Sequence, residues 1–433
     1  MKRIYLQSLA VLCLLLVNVE LSQAQSVLKP VKVEIRKVDS TFQFIRGGEP
    51  YFVKGAGGTG YLDRLASYGG NSIRTWGSNN GQRALDSAAK HGLTVLMGLS
   101  VTAERHNFDY NDTVAVRKQF NRIKAEVIKY KDHPALLAWG IGNELNLQYT
   151  NPKVWDAVND IVEMIHEVDP NHPAGTILAG INKKEIDYIK KVSPDMDFLG
   201  INMYGDLASL PQRVQDVGWK GAYVVTEWGP TGHWESLQTE WKMPIEETSS
   251  EKASVYKRRY EYSIERDKDQ CLGSYVFLWG QKQERTPTWY GLFTEKGEES
   301  EVMDFMEYLW SGSWPVNRAP HIYSFQLDGK KAADNIYLKP GNNYAVFASV
   351  NDPDKNTTLN YRYELLPEPT EVGEGGDFEA RPSSIENPFT ANNGNGMITV
   401  KSPEKEGAYR LFVYASDGQN KVATANIPFY VKK

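Results

Sequence analysis

Cysteine is almost missing from this 433-residue chain, which holds only Cys13 and Cys271. Cys13 sits in the apolar run Leu9–Val17, after Lys2 and Arg3 and before Ser22-Gln23-Ala24, the pattern of an export signal cleaved ahead of Gln25. Leu12 stands where a bacterial lipid anchor needs a small residue, which argues against lipidation. With residues 1–24 removed, Cys271 is alone and no intramolecular disulfide can form, so the expected location is the periplasm or exterior of a Gram-negative bacterium. A charge excess is lacking too. Against 54 Asp and Glu stand 49 Lys and Arg, a formal charge of −5 that gives no reason to bind nucleic acid or anionic lipid. No second apolar run reaches spanning length, so no membrane association is expected after signal cleavage, and a monomer is expected. There is no His-x-x-x-His pair, Cys cluster or Asp-rich calcium loop, and Gly55–Gly60 lacks the Lys-Ser/Thr ending of a phosphate loop. Neither a metal nor a cofactor is expected, and Gly55–Gly60 reads as a flexible rim loop.

The chain is too long for one growing core, which predicts a large domain and a smaller one. From Tyr51 to about Trp310, short apolar runs alternate with amphipathic segments, the α/β pattern of repeated βα units. Eight strands are predicted, at Phe52–Gly55, Ser72–Trp76, Thr94–Leu99, Leu136–Gly142, Thr176–Gly180, Phe198–Tyr204, Ala222–Trp228 and Ser274–Trp279. The clearest helices are Gly81–His91, Val114–Tyr130, Lys153–Val168 and Glu251–Arg266, with shorter ones at Asp63–Ser67 and Leu210–Val217. Eight units in this length predict a (β/α)8 TIM barrel over residues 25–314, floored by a hairpin from Val31–Phe44. Beyond Trp314 the helical period stops. Short alternating runs predict an immunoglobulin-like β-sandwich over 315–433, with Gly373–Asn395 as a mobile loop.

In a TIM barrel the chemistry lies at the C-terminal ends of the strands. Strand four ends Gly140-Ile141-Gly142-Asn143-Glu144, and strand seven ends Val224-Val225-Thr226-Glu227. A lone Glu at a loop start is usually a solvated charge or a cap. Two of them, facing each other across one barrel mouth, match the carboxyl pair of a retaining glycosidase, one nucleophile and one acid/base. Trp76, Trp228, Trp234, Trp289 and Tyr290 fall in or beside strand-end loops and are expected to line a cleft. His106, in the mixed polar and aromatic run after strand three, is a candidate for substrate contact. His133 and His172 fall on the barrel floor and read as structural. The aromatic content, with 11 Trp and 24 Tyr, suits stacking on sugar rings.

With Asn143-Glu144 ending strand four and Glu227 ending strand seven, the chain resembles clan A of the glycoside hydrolases, a retaining superfamily on this barrel. Arg74 near the end of strand two, Tyr204 ending strand six and Trp279 ending strand eight agree in order with the clan's Arg near the nucleophile, Tyr or His beside it, and aromatic platform. The separation of the two glutamates, the compact barrel and the C-terminal module look most like the endo-β-1,3-glucanases of glycoside hydrolase family 158, over nearly all of the chain after residue 24. The large N-terminal β-sandwich of the β-galactosidases and β-glucuronidases is missing. The resemblance implies Glu227 as nucleophile, Glu144 as acid/base, Asn143 on the substrate 2-hydroxyl, Arg74 and Tyr204 holding Glu227, and a laminarin-type β-glucan as substrate. Aromatics drawn from the ends of strands two, seven and eight predict a bent groove, as a coiled β-1,3 chain requires. The alternatives are another clan A β-glycanase such as a β-mannanase or β-1,4-glucanase, an exo-β-glycosidase, a transglycosylase, or a non-catalytic glycan-binding protein. The sandwich either binds glycan or braces the barrel, and bracing is expected because no ordered aromatic triad stands out among its strands.

Overall fold

The computed structural model describes residues 29–354, 358–373, 376–392 and 395–433. The predicted export signal, with Cys13, lies outside them. Three short antiparallel strands come first: β1 (Val33–Val38), β2 (Thr41–Arg46) and β3 (Glu49–Tyr51). Val33 and Phe44 of this sheet are buried with Val53, Leu137, Phe198, Ala222 and Leu272, which begin barrel strands, so the sheet plugs the floor.

Eight parallel strands close the barrel in chain order: β4 (Val53–Gly57), β5 (Ser72–Arg74), β6 (Thr94–Leu99), β7 (Leu136–Ile141), β8 (Ala174–Ala179), β9 (Phe198–Asn202), β10 (Ala222–Trp228) and β11 (Cys271–Val276), which pairs back onto β4. Each is an apolar run because both faces are covered, one by the barrel interior and one by helices. Between and after them come α1 (Leu62–Ser67), α2 (Gly81–Lys90), α3 (Thr113–Tyr130), α4 (Lys153–Val168), α5 (Lys183–Val192), α6 (Leu210–Asp216), α7 (Ser249–Arg259) and α8 (Glu301–Ser311). On α4, Val154, Val158, Ile161, Val162 and Ile165 form the buried stripe that a 3.6-residue repeat predicts. Asp112 caps α3 by accepting from the Val114 and Ala115 amides, and Thr248 with Glu251 makes a reciprocal capping box on α7. Gly55–Gly57 belong to β4, not to a loop, and the Gly58 amide donates to the Arg74 carbonyl.

The second domain is a sandwich. Its sheets are β12 (His321–Leu327), β14 (Asn343–Asn351), β17 (Met397–Lys401), β16 (Phe389–Asn392), and β13 (Ile336–Leu338), β19 (Val422–Val431), β18 (Gly407–Ser416), β15 (Asn360–Pro367), in those spatial orders. Phe325, Val346 and Val400 from one sheet and Leu411, Ile427 and Phe429 from the other share one buried core. The expected mobile loop after Gly373 is partly ordered instead. It contains β16, and Glu379 is buried at 4% exposure against the barrel.

Buried ion pairs join the domains. Lys421 in the β18–β19 turn contacts both Glu299 and Asp304, each at 2.8 Å, and Glu246 binds Lys252 and Asn426. Among the described residues no helix is long and apolar enough to cross a membrane.

Candidate active site

Strand parity brings the charged residues together. On β10, Glu227 faces the barrel mouth, while its neighbour Trp228 faces outward. The Glu227 carboxylate accepts from Arg74 Nη1 at 2.9 Å and Trp76 Nε1 at 2.6 Å through one oxygen, and from the Tyr204 hydroxyl at 3.1 Å through the other. Arg74, fully buried at the end of β5, donates further to the Thr226 carbonyl at 2.8 Å and to Asn143 Oδ1 at 2.6 Å. A cation this deep needs such a partner set, since unpaired it would be very costly. Gly98 permits the arrangement: a Cβ there would stand 2.4 Å from backbone carbon of Trp76, whose indole holds Glu227.

Glu144 lies just past β7, in a turn where Gly142 and Glu144 both take left-handed conformations, at φ 69° and 52°. Its amide donates to the Ile177 carbonyl on β8, which fixes the turn. Asn202 Nδ2 donates to Glu144 Oε1 at 2.9 Å and to Asn143 Oδ1 at 3.2 Å, while Asn202 Oδ1 accepts from Thr226 Oγ1 at 2.8 Å. Burial, and next the charge of Glu227, push the Glu144 carboxyl up to about 7; the Asn202 hydrogen bond and Arg74 oppose this more weakly. Burial also raises Tyr204 well above the usual phenol range, so its hydroxyl stays a donor.

The structure thus brings Arg74, Trp76, Asn143, Glu144, Tyr204 and Glu227 into one network. Asn202 belongs to it although the sequence reading passed over it; its only signal was a polar residue ending a buried strand. Two cavities adjoin at Tyr204. One of about 250 Å³ is lined by Glu227, Asn143, Trp76, Phe277, Lys282 and Tyr290, and one of about 770 Å³ by Glu144, Arg285, His233 and Trp234. Trp234, 56% exposed, stands edge-on to Tyr204 at 5.5 Å.

Three expected cleft aromatics are not there. Trp228 is fully buried against Tyr256 and Tyr260, because the residue next to an inward Glu227 must point out. Trp279 is 1% exposed among Tyr68, Phe293 and Trp310; β11 ends at Val276, so Trp279 lies beyond the strand and Phe277 takes the mouth. Trp289, 2% exposed, packs behind Tyr290 and donates to the Thr231 carbonyl. Without these three, the bent groove loses half of its expected walls. His106 faces Asp377 of the sandwich at 3.7 Å and lines neither of the two cavities. His133 and His172 are buried structural groups, bonded to Asp86 and to Asp169.

His233 is a second residue the sequence reading missed. Its Nδ1 lies 2.9 Å from the Tyr290 hydroxyl and its Nε2 lies 3.1 Å from Arg285 Nη2. Burial, Arg285 and Lys282 lower it to about 4, so the ring is neutral and Nε2 accepts from the guanidinium.

No protein-family model and no curated protein sequence matches the chain. Solved structures do resemble it. Against a β-glucuronidase of Bacteroides uniformis the TM-score is 0.51 at 15% identity, covering 92% of this chain and 48% of that one. A Bifidobacterium dentium β-glucuronidase gives 0.51 at 17% identity over 65% and 49%, and one from Faecalibacterium prausnitzii gives 0.50 at 18% over 65% and 52%. The chain spans about half the length of these proteins, and at these identities the likeness establishes the (β/α)8 fold.

Proposed function

We propose that this protein is a retaining β-glycoside hydrolase in which Glu227 is the nucleophile and Glu144 the acid/base. The observation that carries the reading is the unequal treatment of two neighbouring carboxyls. Glu227 is ion-paired and accepts three hydrogen bonds, whereas Glu144 is pushed up to about 7 and holds its proton near neutrality. Environments that separate two carboxyls in this way divide nucleophile from acid. Glu227 attacks the anomeric carbon as Glu144 protonates the leaving oxygen; Glu144 then takes a proton from the water that cleaves the glycosyl-enzyme ester. The Oδ1 of Asn143 is occupied by Arg74 and Asn202, so its Nδ2 is left to donate to the substrate 2-hydroxyl. The finer reading is internal cleavage of laminarin-type β-1,3-glucan. Its support is the spacing of the two glutamates, the compact barrel and the C-terminal module, a layout that resembles the endo-β-1,3-glucanases, together with Trp76, Trp234 and Tyr290 along the two adjoining cavities. A β-glucuronide would need a spare cation beside Glu227. Lys282, the one cation lining that cavity among the described residues, is already paired with Glu284 at 2.7 Å.

The test is to incubate the protein with laminarin, β-mannan, carboxymethyl-cellulose and 4-nitrophenyl β-glucuronide, following products over time and the first-formed anomer by NMR. A β-anomer and a spread of short β-1,3 oligosaccharides are expected. An α-anomer overturns the double displacement, and glucose alone from the start overturns internal cleavage. Glu144→Gln and Glu227→Gln should each fold and lose at least about 10³-fold in kcat. A 2-fluoro-glycoside should label the peptide that carries Glu227.

A further inference from the structure

The sandwich enters the cleft. After β15, Glu368, Pro369, Val372 and Gly373 line the larger cavity, and Gly376 lines the smaller one. Glu379 accepts from the Arg285 amide at 2.8 Å and from Gln283 at 3.1 Å, and Lys282 Nζ donates to the Gly376 carbonyl at 2.8 Å. Asp377 pairs with Arg105 at 3.4 Å. The segment is therefore fastened to the loop after strand eight of the barrel and to the loop after strand three, on different sides of the mouth.

Its base is fixed more firmly still. Glu368 pairs with Arg410 at 2.8 Å, and Arg410, 1% exposed, also donates to Asn426 and to the Pro244 carbonyl of the barrel. A buried guanidinium whose three nitrogens are all bonded holds one geometry. What distinguishes this part of the segment is where its apolar surface lies: Val372, 51% exposed, and Pro369 line the same cavity as Glu144 and the open indole of Trp234.

Glu144 lines the larger cavity and Glu227 the smaller. We propose that residues 368–373 of the sandwich form a binding wall for the sugar units on the leaving-group side of the scissile bond. This rests on the glycosidase reading, in which Glu144 protonates the leaving oxygen and so marks that side. Pro369 and Val372 supply the apolar surface on which the non-polar face of a sugar ring packs, with Trp234 as a further contact. The wall acts on substrates whose leaving group is a sugar chain and little on those whose leaving group is a small aryl alcohol.

The experiment compares kcat/KM for five-unit β-1,3- and β-1,4-linked gluco-oligosaccharides and β-1,4-linked manno- and galacto-oligosaccharides with kcat/KM for 4-nitrophenyl glycosides of the matching one-, two- and three-unit sugars, in the full chain and in its Val372→Asp and Pro369→Ala variants. Both substitutions lie at the cavity surface, and circular dichroism checks the fold of each. The ratio of oligosaccharide to aryl glycoside is expected to fall by about tenfold or more in Val372→Asp, chiefly through KM, and less in Pro369→Ala. A ratio that stays constant, whether both rates fall together or neither moves, overturns the wall and leaves the segment a brace. If the unsubstituted protein cleaves neither these compounds nor laminarin, β-mannan, carboxymethyl-cellulose and 4-nitrophenyl β-glucuronide, the glycosidase reading fails and the wall falls with it.

Discussion

Glu144 pairs a backbone conformation that non-glycine residues avoid with a carboxyl that burial keeps protonated. A left-handed glutamate costs roughly 1–3 kcal/mol, and here the Gly142 turn and the bond to Ile177 hold it in place. Its raised proton affinity sets two pH effects. In the proposed reaction Glu144 acts as the acid and must be protonated, so that reading predicts that kcat/KM falls as pH rises through about 7. That alkaline limb should vanish in Glu144→Gln assayed on a glycoside whose leaving group needs no proton; a limb that persists assigns it to another group. The second effect is on stability. The folded state holds this proton above the ordinary Glu range, so its contribution declines with rising pH up to about 7 and is flat beyond. The Tm difference between Glu144→Gln and the parent should therefore grow in the variant's favour from pH 5 to pH 7.5. At this scale the sequence puts a polar residue at, or within three residues of, the end of an apolar strand at Arg74, Asn143, Glu144, Tyr204 and Glu227, and the structure gathers these five into one network. Asn202 met the same criterion and was passed over beside Tyr204. His233 lies in a loop, and its contacts with Tyr290 and Arg285 come from distant segments that no local pattern connects.

Strands were easier to place than their ends. All eight barrel strands fall at predicted apolar runs, because a buried parallel strand leaves an uninterrupted hydrophobic signature. The eighth runs over Cys271–Val276 where Ser274–Trp279 was expected, and that shift is why Trp279 fell out of the mouth. Helices α5 and α8 have no clear signature in the sequence. The first is dominated by Lys, with Glu185 and Asp187, around Ile186 and Ile189, and the second lies where the barrel gives way to the sandwich. Trp76 and Trp279 should now separate cleanly. Trp76→Phe removes a charge-assisted donor from Glu227, worth about 1.5–3 kcal/mol, so kcat/KM should drop roughly 10–100-fold while Tm changes little. Trp279→Ala empties a packed site and should lower stability by roughly 3–5 kcal/mol, with activity per folded molecule within about threefold of the parent. The reverse pattern, activity lost at Trp279 and stability at Trp76, would restore Trp279 as a sugar platform.

For the whole molecule, the change from helical to alternating patterning at Trp314 marked two units, but nothing in the sequence told how they meet. Contacts between residues a hundred or more positions apart leave no periodic trace. In the structure Glu299, held by Arg64 and Tyr68, reaches Lys421 of the sandwich, which also pairs with Asp304; Asp304 in turn binds Arg318. Pairs this buried add little stability compared with an apolar replacement of the whole set, but deleting one partner strands the others. Lys421→Met removes the shared cation, leaving Glu299 with Arg64 and Asp304 with Arg318, so a cost near the low end, about 3 kcal/mol, is expected. For a chain of this length that shifts Tm downward by roughly 3–4 °C. Far-ultraviolet dichroism reads both domains, and tryptophan fluorescence reads mainly the barrel, where all 11 Trp of the sequence lie at or before Trp314. If the ion pairs weld barrel and sandwich into one cooperative unit, the two signals melt together in the parent and shift together in Lys421→Met. Separate melting, with the fluorescence transition unmoved by the substitution, would mean that the sandwich unfolds on its own, and a wall carried by it could not hold its place in the cleft.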